Sequence, residues 1–304
     1  MSRGLKPAAL RPATHALGRW SLSPRIDWPT ARRRVELATR FPGPPRGTAV
    51  RPVRIGGVAA EELTPPHCAE GVLVYFHGGG YVVGSPRSHR SLVGRMAGAL
   101  GLRAISVAYR LAPEHPHPAA LEDAWAVWHA LIAQPGLEPG RIVVAGDSAG
   151  GGLTLALALS LRDAGEPLPA ALGLISPWLD LTLDVAGRRP PAPREILLNR
   201  GLLRAFAAAF LAGASAEDPA VSPLLGDLAG LPPLVVHTAG EELIRADGER
   251  LVTRARDAGV TVTAEEIPGL WHDFQMSAAL MSEPAGGAPL RMAGALRAHF
   301  AGGG

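Results

Sequence analysis

A single cysteine, Cys68, occurs in 304 residues, so no internal disulfide framework can staple the fold, and a reducing compartment is the natural setting. Lysine is as scarce, with Lys6 alone, and no GxxxxGK[ST] stretch occurs, which removes the lysine-bearing phosphate loop of nucleotide hydrolases. No apolar run approaches the roughly 18 residues of a membrane span, and the first residues carry no apolar core of a secretory signal. The expectation is a soluble, cytoplasmic protein without stable membrane insertion. With 47% hydrophobic residues the chain can bury a large core, and its length fits one α/β domain with an accessory part.

What charge there is lies unevenly. Residues 1–54 hold eleven Arg and Lys6 against Asp27 and Glu36, a net +10, which leaves −7 on the remaining 250 residues. Such an arm could meet nucleic acid or an acidic membrane surface. Trp20, Ile26, Trp28, Val35, Leu37 and Phe41 are interleaved with its charges, however, and no nucleic-acid motif accompanies them. The reading is a segment packed on the body, with no nucleic-acid partner.

A break at Phe41-Pro42-Gly43-Pro44-Pro45 ends this segment, in which Thr30 to Thr39 reads as a helix. Short strands follow at Val53–Ile55, Ala59–Leu63 and Val72–Phe76, the last a continuous apolar run of the kind covered on both faces. Helices and strands then alternate through Ser88–Leu100, Ala104–Ala108, Ala119–Ile132, Ile142–Ala145, Leu153–Ala164 and Leu172–Ile175. The alternation resumes at Leu234–Thr238, Asp247–Ala258, Thr261–Glu265 and Pro289–Phe300. This spacing predicts a mostly parallel, doubly wound sheet with helices on both faces. Between Asp180 and Leu231 the rhythm fails. That stretch holds turn-rich sequence, including Gly187 to Pro190, and one clear helix at Gly201–Ala212. An insertion of this size is rarely idle, and it reads as half of a lid whose other half is the N-terminal segment. The Gly302–Gly304 end reads as frayed.

The chemistry concentrates at strand ends. Gly146-Asp147-Ser148-Ala149-Gly150 joins the Ile142 strand to the helix after it, with small residues on both sides of the serine. A serine on such a turn takes a strained backbone conformation and presents its hydroxyl, solvent-facing, at the carboxyl edge of the sheet over a helix N-terminus. Alone, this pattern is equally a glycine-rich turn or a phosphate loop. His77-Gly78-Gly79-Gly80-Tyr81 follows the Val72–Phe76 strand, and its unshielded N–H groups can converge on an oxygen that becomes negative. The bland alternative is an anion-binding nest. A serine needs a base, and of ten histidines His272 lies on the loop after the last strand, at the same sheet edge. An acid between serine and histidine in chain order would follow the Leu234–Thr238 strand, where Glu241 and Glu242 both stand. Each residue has a mundane reading; four in this order at these strand ends point to nucleophilic catalysis.

These stretches, together with Tyr109-Arg110-Leu111-Ala112-Pro113-Glu114-His115-Pro116 and Gly269 to Phe274, resemble the signatures of the hormone-sensitive-lipase family of α/β-hydrolases, also called the bacterial family IV esterases. The resemblance covers nearly the whole chain. It implies an α/β-hydrolase fold with a helical cap, in which residues 1–45 and an insertion at about 180–230 form the cap and residues 46–304 the catalytic domain. It implies Ser148 as nucleophile, His272 as base, and the N–H groups of Gly79, Gly80 and Ala149 as an oxyanion hole, with His77, Gly78 and Asp147 supporting the motifs. Arg110 and Glu114 would be ion-paired rather than catalytic. At the acid position the family often has an Asp-Pro-Leu-Arg-Asp pattern, whereas this chain has Glu242-Leu243-Ile244-Arg245-Ala246. Glu stands there in part of the family, so Glu242 is the acid by resemblance, with Glu241 its neighbour and rival.

The implied activity is hydrolysis of carboxylic esters of small or short-to-medium acyl chains through an acyl-enzyme, with neither metal nor organic cofactor. A lactone is an internal ester and a lactone hydrolase would use the same residues; relatives sharing the Ile55-Gly56-Gly57-Val58 entry are described that way. A non-catalytic receptor binding its ligand under the cap is the alternative of another class, and the presence of His272 argues against it. A homodimer is compatible with the chain and not specified by it.

Overall fold

The computed structural model describes residues 4–23, 26–183 and 195–300. The turn expected at Gly187 to Pro190 and the glycine end at Gly302 to Gly304 lie outside these residues. In chain order the helices are α1 (Pro7–Ser21), α2 (Trp28–Ala38), α3 (Pro86–Leu100), α4 (Ala119–Ile132), α5 (Ala149–Asp163), α6 (Arg200–Leu211), α7 (Arg245–Asp257) and α8 (Ala288–Arg297). The strands are β1 (Ala49–Ile55), β2 (Val58–Thr64), β3 (Val72–Phe76), β4 (Arg103–Val107), β5 (Ile142–Asp147), β6 (Ala171–Ile175), β7 (Leu234–Ala239) and β8 (Val262–Ile267).

The strands form one sheet in the order β1-β2-β4-β3-β5-β6-β7-β8. Only the β1–β2 and β2–β4 pairs are antiparallel; from β4 through β8 every pair is parallel. Continuous apolar sequence in the central strands follows from cover on both faces. In β3, Val72, Val74 and Phe76 pack into a cluster with α4, α5 and α7, while Leu73 and Tyr75 pack into a second cluster with α3 and α8. This is the two-residue period of a strand sorted between two cores. No described helix is long and apolar enough to cross a membrane.

Two elements depart from the sequence reading. Helix α1 is absent from it, because Pro12 lies inside the helix and most of its residues are exposed, so no apolar stripe marks it. Helix α5 begins at Ala149, directly after Ser148, and not at Leu153. Gly150, Gly151 and Gly152 form its first turn, and they are glycines because Phe76 of β3, Pro177 and Trp178 pass too close for a Cβ.

Helices α1 and α2 and the described part of the insertion, including α6, meet over the carboxyl edge of the sheet. Trp28 stacks on Phe206 with ring centroids 5.6 Å apart, and Phe210 stacks on Tyr81 at 3.8 Å. Arg32 binds α2 to the body by donating to the carbonyls of Val82 and Ala112, both at 2.7 Å, and to the Glu114 carboxylate. Glu114 and Arg110 are thus ion-paired as expected, though with different partners: Arg110 pairs with Glu122 and Asp123. The expectation that the apolar residues of the arm all pack inward holds for Ile26, Trp28 and Val35, which contact the core. It fails for Trp20, Leu37 and Phe41, which are 43%, 60% and 78% exposed.

Candidate active site

Ser148 sits between β5 and α5 with φ +50° and ψ −118°, a conformation that costs a non-glycine residue of order 1–3 kcal/mol and needs its surroundings to hold it. Three hydrogen bonds do so: Ser148 N–H donates to Ile175 O at 2.9 Å, and its carbonyl accepts from Trp178 N at 2.9 Å and Gly152 N at 3.1 Å. The tight turn brings Gly146 and Gly150 so close together that a side chain on either would overlap backbone. The serine is buried, 6% exposed, rather than solvent-facing, with the Trp178 backbone and the His272 ring against it at the strand end.

The structure brings Ser148, His272 and Glu242 into one chain of contacts. His272 Nε2 lies 2.9 Å from Ser148 Oγ, and Nδ1 lies 2.9 Å from Glu242 Oε2. Glu242 Oε1 also accepts from Ala239 N at 2.9 Å, which fixes the carboxylate on the β7 end. With Nδ1–H donating to Glu242, the Nε2 lone pair faces the serine hydroxyl. Glu241 turns the other way and pairs with Arg11 of α1, whose guanidinium also lies over the Trp271 ring. Of the adjacent glutamates, only Glu242 reaches the imidazole.

The loop His77 to Tyr81 runs beneath α6. Gly79 and Gly80 have φ of +117° and +63°, and side chains there would overlap Val83 and the Phe206 ring respectively. Among the described residues, the N–H groups of Gly79, Gly80 and Ala149 donate to no backbone carbonyl. His77 itself is remote from proton transfer: its ring stacks on Tyr109 at 4.4 Å, and burial with the neighbouring His89 pushes its pKa down to about 3. Asp147 is fully enclosed and accepts from Tyr75 Oη at 2.7 Å, with His89 Nε2 at 3.2 Å. Burial alone would raise its pKa; His89 and the Tyr75 hydroxyl outweigh that and hold it below the ordinary carboxylate range. Gly78 must be bare because a Cβ would strike the Asp147 carboxylate.

Two residues at the site went unread in the sequence. Asp273, adjacent to His272, occupies the left-handed region at φ +50°, and its Oδ2 lies 3.0 Å from the same Nε2 that faces Ser148. A carboxylate cannot donate to a lone pair, so this pairing requires a proton between Nε2 and Oδ2. Burial, opposed by the attraction of His272, pushes the Asp273 pKa up to about 7. For His272 burial acts downward, yet the Asp273 and Glu242 carboxylates carry its pKa well above the usual imidazole value. The second residue is Glu195, in the insertion. Its Oε1 accepts from the N–H groups of Ile196 and Leu197, both at 2.7 Å, and its Oε2 accepts from Leu243 N at 3.2 Å and His272 N at 3.3 Å. Nothing local in sequence announces a contact spanning 77 positions; the signal for Asp273 is its place directly beside His272.

A cavity of about 180 Å³ opens beside these groups. Leu17, Leu22 and Val35 line it from the N-terminal helices, Leu197 from the insertion, and Gly79 and Asp273 from the body.

Sequence and structure comparisons agree on kinship. A family model of the α/β-hydrolase fold matches residues 73–276. An esterase from the bacterial hormone-sensitive lipase family superposes with a TM-score of 0.90 at 35% identity, covering 99% of this chain and 100% of the other. The chain belongs to the hormone-sensitive-lipase family of α/β-hydrolases. Two other relatives fit that placement. An acetyl-hydrolase of Streptomyces hygroscopicus is 45% identical over 72% of this chain and 73% of its own. An esterase of Acinetobacter venetianus is 38% identical over 79% of each. In this hormone-sensitive-lipase family member, as in the sequence reading, the eight-stranded sheet and the helices on both its faces are those of an α/β-hydrolase.

Proposed function

We propose that this hormone-sensitive-lipase family esterase cleaves carboxylic esters by forming an acyl-enzyme on Ser148. The observation that carries the reading is the pair of 2.9 Å contacts that link Ser148 Oγ to His272 Nε2 and His272 Nδ1 to Glu242. His272 takes the hydroxyl proton as Oγ attacks the ester carbonyl, and Glu242 holds the imidazole in the required tautomer and stabilises its cation. The oxyanion of the tetrahedral intermediate is received by the N–H groups of Gly79, Gly80 and Ala149, which have no backbone partner to give up. The imidazolium returns the proton to the leaving alcohol, and water, activated by the same base, then releases the acid.

Residues 1–45 and the insertion serve as a cap in this reading, since Leu17, Leu22 and Val35 from the one and Leu197 from the other line a cavity that reaches Gly79, Asp147 and Asp273, the chain neighbours of Gly80, Ser148 and His272. Small or short-to-medium acyl esters are the substrates in this reading, and a lactone enters the same scheme as an internal ester. The names of the relatives, acetyl-hydrolase and esterase, support the substrate class.

The test is a panel of acyl esters of graded length, with lactones beside them, run on the wild type and on Ser148→Ala. The expected result is hydrolysis of short and medium esters by the wild type, labelling by a fluorophosphonate at Ser148, and neither in the variant. Appreciable turnover by folded Ser148→Ala would overturn the mechanism.

A further inference from the structure

The residues that fail to pack in the arm form a pattern. Leu17 and Trp20 share a face of α1 at i, i+3 and are 45% and 43% exposed. The Arg34 guanidinium of α2 lies over the Trp20 ring, 5.2 Å from its centroid, and donates to Trp20 O at 2.8 Å. Leu37, three residues beyond Arg34 on α2, is exposed, and so is Phe41 in the bend that follows the helix, whose ring carries the Arg40 guanidinium at 5.9 Å. This line of exposed aromatic and aliphatic side chains therefore has cations seated along it. It also borders the cavity, which Leu17, Val35, Ala38 and Thr39 help to line.

Few of the cations along this face are matched by a carboxylate. Helix α1 contains no acidic residue, and among the described residues no carboxylate forms an ion pair with Arg19, Arg33, Arg34, Arg40 or Arg46. Other arginines of the same arm do have such partners: Arg11 has Glu241, Arg32 has Glu114 and Arg51 has Glu62. Exposed Trp, Leu and Phe between unpaired arginines are the composition of a surface that lies in a lipid–water interface, its rings at headgroup depth and its cations on anionic heads.

We infer that this face of α1 and α2 docks on an anionic lipid surface and sets the cavity mouth at headgroup level. A nucleic acid would also meet the charge, but it would leave Leu37 and Leu17 without an apolar counterpart. The inference goes beyond ester hydrolysis and is tested without turnover, so the two readings stand or fall separately.

The experiment is co-sedimentation of the full chain with vesicles of phosphatidylglycerol and phosphatidylcholine, against vesicles of phosphatidylcholine alone, at low and high salt. Binding to the anionic vesicles is expected, weakened by salt and at least about tenfold poorer on the neutral ones, since each basic residue near an anionic surface is worth a factor of about five. The variants Trp20→Ser with Phe41→Ser, and Arg34→Glu with Arg40→Glu, are each expected to lose about tenfold or more in vesicle binding. Both should keep the wild-type circular dichroism spectrum, which serves as the check on folding. Equal binding to both vesicle types, or binding to neither, overturns the inference. So does a dimer in solution that dissociates in the Trp20→Ser, Phe41→Ser variant, because a second copy would then own the face.

Discussion

Replacing Asp273 by asparagine should move the acidic limb of the activity profile to lower pH. The base must be neutral to accept the Ser148 proton, and a carboxylate 3.0 Å from Nε2 favours the imidazolium instead. Asp273 thereby raises the pH at which His272 becomes available. Two unit charges at this distance and an effective dielectric of 20 would interact by about 5 kcal/mol, an upper limit. The groups that also face this pair temper the effect: Glu242 remains on Nδ1, Glu195 on the His272 N–H, and Asp147 with His89 lies across the cavity floor. Because burial pushes the Asp273 pKa up to about 7, it is only partly ionised near neutrality, and the expected downward shift is about one pH unit, ~1.4 kcal/mol. Asparagine tolerates the left-handed backbone at this position, so the variant isolates charge from conformation. The assay is kcat/KM for a soluble short ester between about pH 4.5 and 9. A limb that stays in place, or moves to higher pH, refutes the coupling.

Glu242→Gln should lower kcat by up to about 10⁴, the order seen when a triad carboxylate becomes an amide, whereas Glu241→Gln should change it little because Glu241 serves Arg11; near-wild-type turnover by Glu242→Gln with a collapse in Glu241→Gln or Asp247→Asn would reverse the assignment. Gly80→Ala should destabilise by about 1–2 kcal/mol and impair turnover, since φ is +63° and the methyl meets the Phe206 ring; an unchanged thermal midpoint and unchanged kinetics would contradict the contact. Removal of residues 1–45 should lower solubility by uncovering the apolar surface beneath α1 and α2 and should alter acyl-length preference; identical kinetics across the ester panel would show that the arm does not close over the cavity.

The body of the fold was legible because burial on both faces leaves an unmistakable mark. Val72-Leu73-Val74-Tyr75-Phe76 and Ile142-Val143-Val144-Ala145 are strands whatever surrounds them. Ser148, His272 and Glu242 were legible for a different reason: each stands on the loop or turn that follows a strand, and a parallel sheet delivers all such positions to one edge. Helix α1 was hidden by Pro12 and by having no core-facing stripe. The burial of Ser148 was hidden because Trp178 and the His272 loop, which contact it, arrive from separate parts of the chain. Asp273 was in plain view, but its meaning depends on a backbone angle that turns its carboxyl back toward Nε2.

Glu195 gives the insertion an unusual attachment. One carboxylate gathers N–H groups from its own segment, from the loop that carries Glu242 and from the residue that supplies the imidazole. The described end of the insertion is therefore fastened to the same backbone that carries Glu242 and His272. Their positions are set together: shifting Glu195 means breaking the hydrogen bonds donated by Leu243 and His272, so a substitution in the insertion reaches the imidazole through the main chain rather than through the cavity.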